Sequence, residues 1–351
     1  MELVKKETIS RRNFIKVSSA AALATSIAPT IITSCTQSVV RGPGDVLLSR
    51  NEMAAPNLDT INGEMVQQVM DNGIKAFTGK NSVGDAWKSL FPVLNKDTKI
   101  GLKVNVVAGT RPKQLCTQVQ TVDAIVNGLS QMSVNGSSFS AHNVVVWDRW
   151  NDELEGAGYT INEKGPGYLC CGTTATMDAA EPKIGYDGEA PWKSIEDTAY
   201  FSKIVSQVCD YQINVPVLKS MGRGVTFGMK NMYGTFSTSY PQWGPIGNIY
   251  HKEFPIRMCD VNQADLIQKK FVLHVGDAIL GKAQAAGGPA GPADFTYGGM
   301  LFCKNPVALD AIGASIVREQ GEEVEDAVWQ KPAEERGLGI ATLENINLIK
   351  I

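Results

Sequence analysis

The stretch Lys99-Ile-Gly-Leu-Lys-Val-Asn-Val-Val107 decides the fold, because it alternates apolar and polar residues and is rich in valine. This pattern predicts a β-strand. Further along the chain, residues 117–132 carry apolar side chains at helical spacing. Residues 143–147 are a short apolar run of the kind that is buried in parallel sheets. Strand, helix and strand in this order predict a layered α/β domain.

The alternation of helices and strands continues on both sides of this unit. Helices are predicted over residues 62–77, 84–91, 201–209, 256–268 and 306–320, and strands over 211–218, 270–275 and 299–304. Residues 149–197 are expected to form irregular strands or an excursion. Residues 220–250 and 281–299 are expected to form long Gly-rich loops. The predicted fold class is α/β, with a layered, mostly parallel or mixed sheet flanked by helices.

The composition excludes several classes of protein. The chain has 351 residues, 43% of them hydrophobic, which is enough to bury a large core and too apolar for a disordered chain. A net charge of −3 without a Lys/Arg run argues against nucleic acid as a partner. Three His and seven Cys without C-x-x-C spacing provide no local zinc or iron–sulfur motif. The identity of any cofactor, and any disulfide pairing among the last six Cys, stay open.

The first residues have the proportions of an export signal. Ser10-Arg11-Arg12-Asn13-Phe14-Ile15-Lys16 precedes a short apolar stretch, and the order resembles a twin-arginine signal. We therefore expect Arg11 and Arg12 to direct the protein through the twin-arginine translocase to the periplasm or cell envelope. Such passengers cross the membrane folded, and many carry a cofactor.

Cys35 follows the apolar stretch in the segment Ile32-Thr-Ser-Cys35, which resembles a lipobox. The alternative is an ordinary cleavage site with an incidental cysteine. With lipidation at Cys35, the protein is anchored to a membrane surface by its acyl chains. The predicted organisation is a signal peptide over residues 1–34, a tether over 35–58 and a single α/β domain over 59–351.

Two Gly-rich segments come close to nucleotide-binding motifs. Gly276 to Ala283 has the spacing of a phosphate loop, but Ala283 stands where that loop needs a Ser or Thr for Mg²⁺. The segment Gly222-Arg-Gly224-Val-Thr-Phe-Gly228 resembles the dinucleotide fingerprint with its third glycine one residue late. We expect neither segment to bind a nucleotide.

Polar side chains follow each predicted strand at its carboxyl end, the edge at which α/β sheets bind ligands. The ligand-binding candidates are Lys103, Asn105, Asp148, Lys219, Thr226, Lys230, Asn231, Asp277, Gly288 and Asp310. As a set, three Lys and three Asp predict a site for a small anionic ligand, a metal or a redox cofactor. The three aspartates, Asp148, Asp277 and Asp310, are weaker candidates for metal ligands.

Each of these residues also has a structural explanation. Asp310 could satisfy the dipole at the start of a helix, Asp148 and Asp277 could be turn residues, and the lysines could be solvated. Lys219 could serve as a Schiff-base or general-base lysine if burial lowered its pKa. Binding of a carboxylate or phosphate is the preferred role for Lys219.

These residues lie in motifs that resemble the bacterial and archaeal family called domain of unknown function 362. Its elements I-N-x-P-x-x-K, G-x-T and K-N-x-x-G appear in order at 213–219, 224–226 and 230–234. The family elements K-x-N, D-x-[IL], G-P and D-P-V-A-x-D resemble residues 103–105, 277–279, 288–289 and 305–310. The resemblance covers about residues 60–345 and implies a shared fold and site, without an assigned activity.

Two departures separate this chain from many members of that family. Met221 stands where many relatives carry a His, and the chain has no Cys-rich ferredoxin-like segment. The family's link to electron transfer is therefore weaker here. Three functions stay open: an enzyme or redox-associated protein that uses a cofactor, a non-catalytic binding or accessory lipoprotein, and a structural interaction protein.

Overall fold

The computed structural model describes residues 42, 44–176, 184–195, 197–221, 224–237, 253–284 and 290–351. The predicted export signal with Arg11 and Arg12, the predicted lipidation site Cys35, and Gly288 lie outside these residues. Among the described residues, no helix is both long and apolar enough to cross a bilayer.

A mixed sheet of mostly parallel strands forms the centre of the fold, as the sequence predicts. In chain order the strands are β1 (Asp45–Arg50), β2 (Ile100–Val104), β3 (Ser133–Val134), β4 (Ser137–Ser138), β5 (Val144–Trp150), β6 (Leu169–Thr174), β7 (Tyr186–Ser194), β8 (Asp197–Ser202), β9 (Tyr211–Val215), β10 (Val217–Met221), β11 (Gly224–Thr226), β12 (Phe236–Ser237), β13 (Phe271–Lys282), β14 (Phe295–Cys303) and β15 (Asn347–Lys350). The main sheet runs β15-β1-β14-β13-β9-β2-β5-β6, and β10 and β11 join it beside β13.

Helices flank this sheet. They are α1 (Gly63–Thr78), α2 (Val83–Lys88), α3 (Val119–Ser130), α4 (Asn151–Gly156), α5 (Phe254–Gln263), α6 (Asp265–Lys270), α7 (Pro306–Glu319) and α8 (Gln330–Glu335). One turn of π-helix at Ile204–Val208 and 3₁₀ turns at Glu52–Ala54, Ala141–Asn143, Lys230–Thr235 and Leu343–Asn345 complete the regular structure. The fold class is therefore α/β, which confirms the prediction.

Strands β13, β9, β2, β5 and β6 are parallel neighbours, and β14 adds to β13 in the antiparallel direction. Side chains alternate between the two faces of these strands, as the β pleat requires. In β5, Val144 and Val146 join the core beneath α1, α2 and α3, whereas Val145 and Trp147 join a second core on the opposite face. This alternation decides which residues of each strand meet at the site.

The predicted tether is wrong for part of its length. Residues Asp45–Arg50 form β1, which pairs with β14 and with β15 near the end of the chain. Val46, Leu47 and Leu48 are fully or almost fully buried there. The sequence pattern missed this strand because its partners lie more than two hundred residues away.

Other predicted elements also differ from the structure, among them the predicted loop over 220–250, which contains β11, the 3₁₀ turn at Lys230–Thr235 and β12. The predicted helix over 201–209 is the end of β8 followed by the π-helical turn, and the predicted helix over 256–268 is divided into α5 and α6. The predicted loop over 281–299 is shorter, because β13 extends to Lys282 and β14 begins at Phe295. Residues 149–197 hold the short helix α4 as well as strands. The six cysteines of the described residues are buried, and none of them forms a disulfide bond there.

Candidate functional site

A row of polar side chains crosses the middle of the sheet. Lys103 of β2 lies beside Asn214 of β9, and Asn214 lies beside His274 of β13. All three are buried, between neighbours that face the helix-covered core. The chain passes from β2 to β5 and β6 on one side, and then returns to β9 and β13 on the other. The row therefore lies at the switch point of the sheet, where ligand sites of α/β proteins form.

Lys103 forms a buried ion pair with Asp148 at the ends of β2 and β5. Its Nζ lies 2.7 Å from Asp148 Oδ1 and donates to the carbonyl oxygen of Val104 at 2.6 Å. The backbone amide of Val106 donates to Asp148 Oδ2 at 3.0 Å, so both carboxylate oxygens are used. Burial lowers the pKa of Lys103, although Asp148 opposes this effect. The positive charge of Lys103 and the negative charge of Asp148 compensate each other, as buried charges in proteins usually require.

Gly234 lies directly against this ion pair. A Cβ at residue 234 would lie 2.6 Å from Asp148 Oδ1 and 2.7 Å from Lys103 Nζ. Both atoms are fixed by their own contact, so a side chain could not be accommodated without displacing the pair. This close approach explains the glycine that ends the K-N-x-x-G element.

A network of asparagine amides joins the strand ends. The Asn231 amide nitrogen donates to Asn214 Oδ1 at 2.7 Å and to the carbonyl oxygen of Lys103 at 3.1 Å. Its oxygen accepts from Asn105 Nδ2 at 3.2 Å. Because every one of these amides is buried and paired, the network fixes the 3₁₀ turn at Lys230–Thr235 over the sheet.

Lys219 adds a second buried ammonium to this network. Its Nζ donates to Asn105 Oδ1 at 2.9 Å, and its side chain is fully buried. In the described part of the chain, no carboxylate lies within ion-pair distance of this ammonium. Burial lowers the pKa of Lys219 to about 8. Burying an ammonium beside a neutral partner costs free energy of folding. Lys103 differs from Lys219 because its partner, Asp148, is charged.

Lys230 is the partly exposed lysine of the site. Thr226 is the cross-strand neighbour of Lys219, and its hydroxyl accepts from Lys230 Nζ at 3.2 Å. Burial, and then the charge of Lys219, lower the pKa of Lys230 to about 8. The Thr226 hydroxyl also lies 3.2 Å from the sulfur of Met221.

The structure therefore brings together seven of the predicted ligand-binding residues. They are Lys103, Asn105, Asp148, Lys219, Thr226, Lys230 and Asn231. Strand ends that the sequence predicts to be adjacent are adjacent, and the contacts among these residues are direct. Gly288 is not described.

Asp277 lies in a different setting. It is in the middle of β13 rather than at its end, and its Oδ2 accepts from the backbone amide of Gln118 at 2.8 Å, at the start of α3. Its Oδ1 accepts from the amide of Ile279 at 3.1 Å. Burial raises the pKa of Asp277 to about 6. The contacts describe a helix cap supplied by a distant strand.

Asp310 is part of a third cluster, on α7. The indole nitrogen of Trp329 donates to its Oδ2 at 2.8 Å, and the amide of Met229 lies 3.4 Å from both carboxylate oxygens. Burial raises the pKa of Asp310 to about 7. Asp310 therefore accepts hydrogen bonds from Trp329 and from the backbone at Met229, just before Lys230, instead of facing a ligand.

These positions bear on the metal hypothesis. No group of three or more His, Cys, Asp or Glu residues that could hold a metal ion occurs in the described segments. Asp148, Asp277 and Asp310 each have different partners, so they do not form a common set of metal ligands.

Sequence reasoning missed two residues of this region. Asn214 lies in the I-N-x-P element, and its Nδ2 lies 3.0 Å from Nδ1 of His274, whose pKa burial lowers to about 3. Glu153 lies in the first turn of α4, one helical turn beyond the end of β5, and is 6% exposed. An acidic residue at the start of a helix is common, so the pattern alone did not single it out.

The phosphate-loop spacing at Gly276 has no matching structure. Residues 276–282 are all part of β13, where their backbone groups pair with β14 and not with a ligand. A phosphate loop needs a turn between strand and helix. The segment is part of the sheet.

The fold and the site together define an α/β protein with a lysine- and asparagine-lined site at the switch point of its sheet. The model of the family described as Domain of unknown function (DUF362) matches residues 100–315, and the chain belongs to this family. A crystal structure of a protein from Thermotoga maritima is 8% identical with a TM-score of 0.37, over 79% of this chain and 60% of that one. No curated protein matches the chain.

Proposed function

We propose that this protein binds a small anion at Lys219, with Lys230 and Thr226 beside it and the paired Lys103 and Asp148 in the same network. The observation that carries the proposal is the fully buried Lys219 ammonium, whose acceptor is an amide oxygen. A protein seldom retains such a charge without a use for it, because replacing it with an apolar residue would increase stability. A bound carboxylate or phosphate would supply the missing negative charge.

The surroundings of Lys219 also suit an anion. Lys230 is partly exposed, and its pKa of about 8 reflects the neighbouring charge of Lys219 in addition to burial. An anion between these two ammonium groups would offset their repulsion and raise both pKa values. Since the ammonium forms are the ones that bind, we expect affinity to decrease as the pH rises through about 8.

Isothermal titration calorimetry with a panel of small carboxylates and phosphate tests this proposal. Lys219→Met should abolish the heat of binding, whereas Lys96→Met, at an exposed position, should leave it unchanged. Binding that survives in Lys219→Met would contradict the proposal.

A second candidate is an enzyme in which Lys219 acts as a nucleophilic amine. The pKa of about 8 favours it, because part of the side chain is then neutral near physiological pH. The amine would add to a ligand carbonyl and lose water to form an imine. Incubation with pyruvate and sodium borohydride should then leave a stable secondary amine on Lys219, which peptide mass spectrometry detects. No adduct at residue 219 would leave binding without covalent chemistry as the function.

We propose further that the protein acts outside the cytoplasm, in the periplasm or cell envelope, as a lipoprotein. The support is the sequence alone: the twin-arginine pattern at Arg11 and Arg12 and the lipobox that ends at Cys35. Because β1 begins at Asp45, a lipid on Cys35 would hold the domain close to the membrane. The partners in this proposal are the translocase, the membrane surface and a small anionic ligand.

A further inference from the structure

Glu153 is a buried carboxylate whose charge acts on Lys103 and Lys219 of the proposed anion site. Its Oε1 accepts from the backbone amide of Ala108 at 2.7 Å. Its Oε2 is buried and has no hydrogen-bond partner in the described part of the chain. A buried acceptor without a donor costs about 1–3 kcal/mol, so such an atom in a native protein calls for an explanation.

Ala108 shows how firmly this carboxylate is held. The loop that follows β2 adopts a left-handed backbone at Ala108, with φ of 61°. Two backbone amides of that loop donate hydrogen bonds to carboxylates. The amide of Val106 donates to Asp148, and the amide of Ala108 donates to Glu153. Gly109 packs so closely on Glu153 that a Cβ there would lie 2.2 Å from the Glu153 carbonyl oxygen. The backbone of Glu153 is therefore held closely against this loop, and its Oε1 is held by the Ala108 amide.

The charges that act on Glu153 come from β5 and from its own helix, and Glu153 in turn acts on groups of β2, β10 and the loop after β2. Asp148 and Arg149 belong to β5, and Asp152 precedes it on α4. The negative charge of Glu153 acts to raise the pKa values of Lys103 on β2, of Lys219 on β10 and of the Cys116 thiol. Burial, and then Asp148, raise the pKa of Glu153 to about 7.

We infer that Glu153 Oε2 accepts a hydrogen bond from the ligand that Lys219 binds, so that the site selects small anions that carry a hydroxyl donor. This inference rests on the proposed function. Hydroxy acids and hydrogen phosphate share the required chemistry, a negative charge for Lys219 and an O–H for Glu153. Anions of the same shape without a hydroxyl would leave Oε2 unpaired and would bring two negative groups together.

Two pairs of probes separate these possibilities. Hydrogen phosphate and sulfate are both tetrahedral dianions, and only the phosphate carries a hydroxyl. Glycolate and acetate are both small carboxylates, and only glycolate carries a hydroxyl. A preference within both pairs indicates recognition of the hydroxyl, and a preference within one pair assigns the ligand to the oxyanions or to the hydroxy acids.

The variants are Glu153→Gln and, as its control, Glu155→Gln on the same helix at an exposed position. Glutamine keeps an oxygen for the Ala108 amide but places an NH₂ group where the ligand hydroxyl would donate. Calorimetry at pH 7.5 should give at least tenfold tighter binding of the hydroxyl-bearing member to the unaltered protein and to Glu155→Gln. Glu153→Gln should lose this preference. The site discriminates against anions without a hydroxyl only while the acceptor for that hydroxyl is present.

A second measurement does not depend on the folding of a variant. With glycolate and acetate, whose charges do not change near neutral pH, the preference of the unaltered protein should decline as the pH falls below about 7 and Glu153 takes up a proton. Equal binding of both members of each pair would overturn the inference and leave the proposed function standing. So would a preference that survives in Glu153→Gln. No binding of any of the four anions would overturn both.

Discussion

At the scale of single residues, Lys103 and Lys219 show two ways in which one site holds a buried ammonium. Lys103 is compensated by Asp148 at 2.7 Å, whereas Lys219 donates to the amide oxygen of Asn105. The first arrangement contributes to a fixed structure, and the second leaves a positive charge for a ligand to neutralise. The pattern of the sequence predicted both lysines but could not distinguish them, because the difference depends on which strand end each one meets.

Replacing Lys219 with methionine should stabilise the unliganded protein. The pKa of Lys219 falls from 10.5 to about 8 on folding, so the charged form is disfavoured in the folded state at neutral pH. Removing this charge should raise the free energy of unfolding at pH 7 by roughly 3 kcal/mol. The gain should shrink between pH 8 and 10.5, where the original protein loses its proton on folding. Denaturant unfolding at pH 7 and at pH 10.5 measures the gain in stability, with Lys96→Met as the exposed control. A Lys219→Met variant that is less stable than the original protein at pH 7 would contradict the prediction.

Asp310 should make stability depend on pH in the opposite sense. Burial raises its pKa from 3.8 to about 7, so the folded state binds a proton more tightly than the unfolded state does. Its contribution is therefore present at low pH and is lost as the pH rises toward 7. Relative to Asp310→Asn, which keeps an acceptor for Trp329, the protein should lose roughly 2–4 kcal/mol of stability between pH 4 and pH 7. A difference between the two proteins that stays constant over this range would refute the assignment.

At the scale of elements, the strand ends in the sequence predicted the candidate site. Lys103, Asn105, Lys219 and Asn231 were predicted together because parallel strands deliver their carboxyl ends to one edge, and they do contact one another. Asp277 was misplaced because β13 continues to Lys282, where its pairing with β14 holds it extended. Local periodicity shows where a strand begins but cannot show how far a partner from elsewhere extends it.

The 3₁₀ turn at Lys230–Thr235 should tolerate no side chain at Gly234. In Gly234→Ala the new Cβ would push apart Asp148 and Lys103, and we expect a loss of about 1–3 kcal/mol in stability together with weaker anion binding. Gly63→Ala in the first turn of α1 is the matched control, since the nearest atom to its Cβ is 4.0 Å away. Denaturant unfolding and calorimetry of both variants measure the contrast. Equal stability of the two would mean that the ion pair yields easily.

At the scale of the whole molecule, the domain is larger at its amino-terminal side than the sequence indicated. The end of the chain, β15, pairs with β1, and β1 pairs with β14, so both ends of the domain close the same edge of the sheet. The pattern of residues 45–50 is too short to reveal this arrangement, because burial there comes from contacts across the whole chain. The carboxyl-end site lies in the parallel half, away from this closure.

The proposed lipid anchor makes a prediction for the full chain in a bacterium that has a twin-arginine translocase. The unaltered protein should fractionate with membranes, and Cys35→Ala should release it, because the buried methylenes of the acyl chains are the proposed attachment. Arg11→Lys combined with Arg12→Lys should retain a precursor inside the cell. Continued membrane attachment of Cys35→Ala would refute lipidation at this residue, and normal export of the lysine variant would refute the signal.

The protonation of Lys219 with and without an anion tests the central proposal most directly. Nitrogen-15 NMR of lysine-labelled protein follows the Lys219 ammonium through a pH titration, and Lys219→Met identifies its signal. Without anion the midpoint should lie near 8, as burial dictates. Saturating phosphate should raise this midpoint by more than about one unit, because the bound anion stabilises the charged amine. A midpoint that does not move on adding phosphate, or one that already lies near 10.5, would contradict anion binding at Lys219.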